Sequence, residues 1–177
     1  MGVAYRTARH GLLEGQEREA ILASVKRAAS FAGSMRTNLV TMLDALGLPE
    51  EIGTPTTSLF GDRDDLLHST SAIRYPVFVD GRNYTGHRPR PLDSNVLSAF
   101  VKEQLSVELA SVETALVVPL GQAVEQCLDF LVRQEQLPRE RCLFGFPHPS
   151  GANGHRAQQF NERRNALRRT LHGWFAG

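Results

Sequence analysis

From Gly145 to Arg156 the chain reads Gly-Phe-Pro-His-Pro-Ser-Gly-Ala-Asn-Gly-His-Arg, a mixture that no hydrophobic core needs. Pro147 and Pro149 restrict the backbone on both sides of His148, so its imidazole is held in one direction, as a hydrogen-bond partner for a ligand must be. Ser150, Gly151, Asn153 and Gly154 can turn backbone N–H groups outward where a helix begins, the place where a phosphate or oxyanion is favoured. Arg156 adds a guanidinium fork suited to phosphate. The alternative is a rigid connecting loop whose histidine caps a carbonyl.

Something must position this loop, and composition bounds what that can be. A length of 177 residues corresponds to one domain on the usual scale of about 100–200 residues. With 41% hydrophobic and 22% charged residues the chain has the make-up of a globular protein, not of a disordered or fibrous one. The longest apolar run, Ala115 to Leu120, is too short to span a bilayer. Arg6, Arg9 and Glu14 stand where a secretory signal would be apolar, so the expected location is the cytoplasm. Cys127 and Cys142 have no metal-ligand spacing and are expected as buried apolar residues; neither a metal nor another cofactor is implied.

A net charge of +1 excludes a uniformly basic coat, but the charge is unevenly spread. Residues 74–90 hold four arginines against Asp80, and residues 151–177 hold five against Glu162. Residues 91–138 carry seven acidic groups and two basic ones, so a basic face opposite an acidic one is allowed, an arrangement suited to a polyanion.

Hydrophobic period gives the elements. Glu17 to Ala29 predicts a helix, and Met35, Leu39, Met42, Leu43 and Leu46 predict a second one capped by Ser34 and closed by Gly47. Glu50 to Arg63 is expected as a loop, Leu66 to Ile73 as a short buried strand, and Tyr75 to Asp93 as a long functional loop. Ser94 caps a helix to about Leu109, and Ala115 to Leu120 has the continuous apolar run of a parallel strand. A helix follows from Gly121 with Val124, Cys127, Leu128 and Leu131 inward, then a third strand, Cys142 to Phe146, and a last helix on Phe160, Leu167, Leu171 and Trp174. Alternating strand and helix predicts an α/β chain, a three-layer α/β/α sandwich over a small, mostly parallel central sheet. Three strands are few for such a sheet, so either one has escaped the pattern or one is absent from the chain. Its ligand site is expected outside the carboxyl ends of the strands.

These segments resemble the uracil-DNA glycosylase superfamily. Pro147-His148-Pro149-Ser150 is similar to the His-Pro-Ser motif that follows the last core strand there, and Ala115-Leu-Val-Val-Pro-Leu-Gly-Gln-Ala to the strand and Leu-Gly turn before it. Ser71-Ala-Ile-Arg-Tyr-Pro resembles a strand end that usually reads Asn-x-Val-Lys followed by proline, and Phe31-Ala-Gly-Ser-Met-Arg the segment whose Phe stacks on uracil. Ser71 thus stands where many relatives have the Asn that reads the base. The superfamily's first motif, a Gly-rich loop with the water-activating Asp or Asn, is not found before Phe31, so a single domain over 1–177 that begins just after that element is expected, with the first core strand missing.

The resemblance implies a DNA-repair glycosylase that hydrolyses the N-glycosidic bond of uracil or a related deaminated base flipped out of DNA. His148 would be catalytic, donating to the leaving base. Phe31 and Ser71 would bind the base, and Arg74, Ser150, Gly151, Asn153 and Arg156 the DNA phosphates. DNA is the implied partner, with no membrane, protein partner or cofactor. The nearby carboxylates are Asp44, Asp62, Asp64 and Asp65, none of which sits in a motif that singles it out, so no water activator is assigned. The alternative is a noncatalytic DNA or nucleobase binder. A generic phosphate-handling enzyme is disfavoured, because the chain has no Walker loop and no G-x-G-x-x-G.

Overall fold

The computed structural model describes residues 2–177. The chain forms two compact units, one made of the residues up to Ser69 together with Pro149–Asn153, the other of Thr70–His148 and Gly154–Gly177.

The first unit is helical. α1 (Val3–Leu13) and α2 (Arg18–Ala29) pair as a hairpin at close range: a Cβ on the buried Gly11 would stand 2.8 Å from Ile21 Cγ1. α3 (Ser34–Asp44) turns Leu39, Met42 and Leu43 inward, and α4 (Leu48–Ile52) follows with Leu46 and Leu48 buried at the junction. Gly33 takes the N-cap position of α3 at φ +75°, which makes Ser34 the first helical residue and not the cap. Beyond α4 the chain makes 3-10 turns at Thr56–Phe60 and Asp64–Leu66.

The second unit starts with a small ribbon, β1 (Phe78–Val79) antiparallel to β2 (Arg82–Asn83). Asp80 and Gly81 join them, both at positive φ, the two-residue hairpin turn for which Asp-Gly is suited. α5 (Asn95–Ala99) runs on through a π-helical stretch, Phe100–Leu105, into α6 (Ser106–Ala110). Ser94 caps it as the sequence predicts, its Oγ accepting from Leu97 N at 3.4 Å. α7 (Gln122–Arg133) and α8 (Arg156–Ala176) complete the unit. Val101, Leu105 and Leu109 pack with Cys127, Leu128, Leu131, Leu137 and Cys142 in one cluster, each aliphatic side chain contributing roughly 1.5–3 kcal/mol by leaving water.

This architecture overturns the expected sandwich. The chain is 58% helical, and among the described residues its sheet is the two-stranded antiparallel ribbon, with no central parallel sheet. Leu66–Ile73 is not a strand: Asp64–Leu66 is a 3-10 turn and the rest is irregular. The other two apolar runs lie alongside each other in parallel but pair only at Val117 and Cys142, with Val117 N on Arg141 O at 2.7 Å and Leu143 N on Val117 O at 2.9 Å. Two features stop the ladder. Pro119 has no N–H to give, and Phe144 N turns back to Cys142 O at 2.9 Å. Val117, Cys142 and Phe144 instead pack into the helical cluster. Among the described residues no helix is long and apolar enough to cross a membrane.

Candidate functional site

The paired segments bring their ends together at His148. Gly121 N reaches Phe146 O at 3.3 Å, so the first residue before α7 lies beside the chain leading into the Pro-His-Pro run. His148 packs directly on it: a Cβ added to Gly121 would meet His148 Cβ at 2.9 Å and Cδ2 at 3.1 Å. Gly121 also has φ +93°, so glycine is required there for two separate reasons. Gly145, just upstream, is fixed from both sides: its N–H donates to Glu125 Oε2 of α7 at 2.8 Å, and its carbonyl accepts from Arg163 Nη1 of α8 at 3.2 Å. The histidine is thus half-buried on a backbone pinned by two helices.

Burial pushes the His148 pKa below its usual value. The positive end of the α7 dipole acts in the same direction. The imidazole is therefore neutral near pH 7, with one nitrogen donating and the other accepting.

In the first unit the loop after His148 lies along α3. Asn38 Nδ2 donates to Pro149 O at 2.8 Å, and a Cβ on Gly151 would stand 3.3 Å from Ser34 Oγ. Ser150 closes a turn, its Oγ accepting from Ala152 N at 3.1 Å and its carbonyl from Asn153 N at 3.1 Å. Phe31 precedes the same end of α3 with φ +53°, a conformation a non-glycine residue rarely adopts. Its ring meets Phe60 edge-on at 6.3 Å, and the Arg36 guanidinium covers Phe60 at 4.8 Å. Phe31, Ser150 and Gly151 are thereby gathered at the N-terminal end of α3.

Three more expected residues, Ser71, Arg74 and Arg156, belong to the second unit. Ser71 is exposed in irregular chain, and Arg156 is the first residue of α8, half-buried. Arg74 pairs with Glu108, Nη2 to Oε2 at 2.9 Å, and Thr70 Oγ1 donates to the same oxygen at 2.8 Å. Of the nearby carboxylates, Asp65 forms an exposed pair with Arg63 at 3.1 Å, whose hydrogen bond holds its carboxyl below the usual range. Among the described residues no group of three or more His, Cys, Asp and Glu side chains is placed to hold a metal.

Three positioning residues escape the sequence reading: Asn38, Glu125 and Glu108. Each is one polar residue among several on its helix, with nothing in its spacing to distinguish it from a solvated one.

No family model matches the chain and no solved structure does. A Bacillus subtilis (strain 168) protein described as uncharacterized, YoxB, is 45% identical over 178 residues, covering 99% of this chain and 70% of its own. The chain belongs to the YoxB family. Membership brings no activity with it, so the function must be argued from the site.

Proposed function

We propose that this YoxB relative acts on DNA as a glycosylase, hydrolysing the N-glycosidic bond of uracil or a related deaminated base held outside the helix stack. The reading rests on one observation, the neutral, half-buried His148 fixed against Gly121. As the bond breaks, negative charge develops on the base oxygen, and a preset neutral donor stabilises it, an effect typically worth about 3 kcal/mol. A protonated imidazole would cost more to bury and would hand over its proton.

In this reading Phe31 stacks on the base and Ser71 touches its edge. Ser150, Gly151, Asn153, Arg74 and Arg156 hold phosphates. The Ser150 turn already takes up the N–H groups of Ala152 and Asn153 on Ser150 Oγ and O, so a phosphate must displace those bonds to reach them. Arg74 must first leave Glu108 or carry it along. A second reading, a DNA or nucleobase binder that does not cut, is favoured by Asp65, one of the nearby carboxylates, which is tied to Arg63 in the open.

Alkaline strand cleavage of single- and double-stranded oligonucleotides containing uracil, with the purified chain and His148→Ala, decides between them. Cleavage by the parent that falls by about 100-fold or more in the variant is expected, the loss of a donor on developing charge being of that order. Binding without cleavage by a folded chain favours the second reading, and neither binding nor cleavage rejects both.

A further inference from the structure

The last turns of α8 face the 3-10 turn at Arg139–Arg141 and the irregular chain after α6, and between them lies an open cleft of about 1130 Å³, wholly within the second unit. Sites for small molecules run to about 1,000 Å³, so this one has room for a compound with an aromatic or branched body. Phe144, Trp174 and Phe175 give it an aromatic wall. Phe144 and Trp174 are half-buried and Phe175 is 40% exposed, so apolar surface stays in water there and a ligand gains by covering it. Among the described residues the indole of Trp174 has neither a ring nor a cation against it, although indole is the ring that attracts a cation best.

Two carboxylates stand in the same wall, Glu113 beyond α6 and Glu140 in the 3-10 turn. Both are exposed, and among the described residues neither carboxylate has a hydrogen bond or an ion pair. The one basic side chain lining the cleft is engaged: Arg139 Nη1 donates to Asp129 Oδ1 at 3.3 Å, and the guanidinium lies 4.7 Å from the centre of the Phe144 ring. That stack shows a planar cation resting on an aromatic ring of this wall. A neutral apolar ligand would leave both carboxylates unpaired, an anion would meet them as like charges, and a bare metal ion would leave the aromatic wall uncovered.

We propose that this cleft binds an organic cation, an ammonium carried on an apolar body, with its charge met by Glu113 and Glu140 and its body laid against Trp174 and Phe175. The site shares no residue with the His148 loop and does not depend on the glycosylase reading.

Trp174 is the chain's one tryptophan, so its fluorescence reports on the cleft directly. Titration of the full chain with benzyltrimethylammonium is expected to change the emission to saturation, with a matching heat of binding by calorimetry. Benzyl alcohol, which keeps the ring and lacks the charge, is expected to bind about tenfold more weakly, the combined effect of two exposed charge pairs. Phenylacetate, an anion of similar size, is expected to bind more weakly again. Glu113→Gln/Glu140→Gln is expected to weaken the cation by about the same tenfold and to leave benzyl alcohol unchanged, and added salt to weaken the cation alone. Both substituted side chains are exposed, and an unchanged circular dichroism spectrum checks that the variant folds. The proposal is overturned by a parent that gives neither an emission change nor heat with the cation, or by a double variant that binds the cation as the parent does. Equal affinity for benzyl alcohol would overturn it in favour of an apolar site without charge preference, and tighter binding of phenylacetate would assign the cleft to Arg139 and an anion.

Discussion

A methyl group on Gly121 would stand 2.9 Å from His148 Cβ, inside any tolerable contact, on a backbone at φ +93°. Gly121→Ala therefore incurs two penalties, the strained conformation at roughly 1–3 kcal/mol and the displacement of the imidazole. Urea denaturation is expected to show a loss in that range or above. Truncating the partner separates the two: Gly121→Ala in a His148→Gly background loses about 1 kcal/mol less than in the parent, and additive losses would mean that the two residues do not press on each other. His148 also ties stability to pH. Its folded pKa lies below its unfolded one, so above the unfolded value of about 6.5 both states are neutral and the group is silent. As pH falls through that value the unfolded chain takes the proton first, and stability declines until the folded imidazole protonates too. Between pH 7 and 5 the parent is expected to lose more stability than His148→Gln, and parallel curves would contradict a buried neutral imidazole.

Among the elements, the irregular chain after α6 depends on a residue far away in sequence. Arg141 is 5% exposed and spends its whole fork on carbonyls: Nε on Ala115 O at 3.0 Å, Nη2 on Val112 O at 2.7 Å, and both Nη atoms on Leu109 O at 3.3 Å. Arg141→Met removes the guanidinium from all three acceptors, of which Val112 O keeps Ala115 N at 3.0 Å, and chemical denaturation is expected to show a loss of about 3 kcal/mol. Arg141→Lys is expected to recover less than half, because one ammonium cannot span three directions. A loss below about 1 kcal/mol in the methionine variant would show that the carbonyls find other donors. Several helices were legible: the stripe of Cys127, Leu128 and Leu131, the cap at Ser94 and the period of α8 all lie in the sequence as they lie in the fold, whereas α4 runs into the stretch expected as a loop and Gly33, not Ser34, caps α3. The apolar runs were not. Ala115–Leu120 and Cys142–Phe146 have strand composition, but composition does not reveal whether such a run will pair or pack, and here Pro119 and the turn at Phe144 leave one bridge between them. The Asp80-Gly81 hairpin was written in the sequence and hidden by the prolines and arginines around it.

For the molecule as a whole, the fold class hinged on long-range pairing, which a single sequence states least clearly, while the Pro-His-Pro run declared itself by chemistry alone. What the run could not declare was its support: Glu125 and Arg163, 20 and 18 residues away in the chain, hold Gly145 just before it, and Asn38, 111 residues away, holds Pro149. Burial of the cysteines was legible, and it yields a test of the second unit's core. Cys127 is 0% and Cys142 2% exposed, both in the same cluster. Leaving water pushes their thiols up to about 11 and about 12. A thiol reagent attacks the thiolate, so at pH 8 the folded chain should present it with almost none, and neither sulfur with a path to it. Both cysteines are therefore expected to react at one common rate, that of unfolding, and a fast reaction of either alone would mean that the cluster opens locally. The same burial fixes the alkaline limit. Below about pH 9 the thiols are neutral in both states; above it the unfolded chain ionises first, and stability falls as pH rises towards 11 and 12. Cys142→Ala is expected to flatten that decline while lowering stability at pH 7 by the contacts it removes, and an alkaline limb as steep as the parent's would assign the decline to other groups.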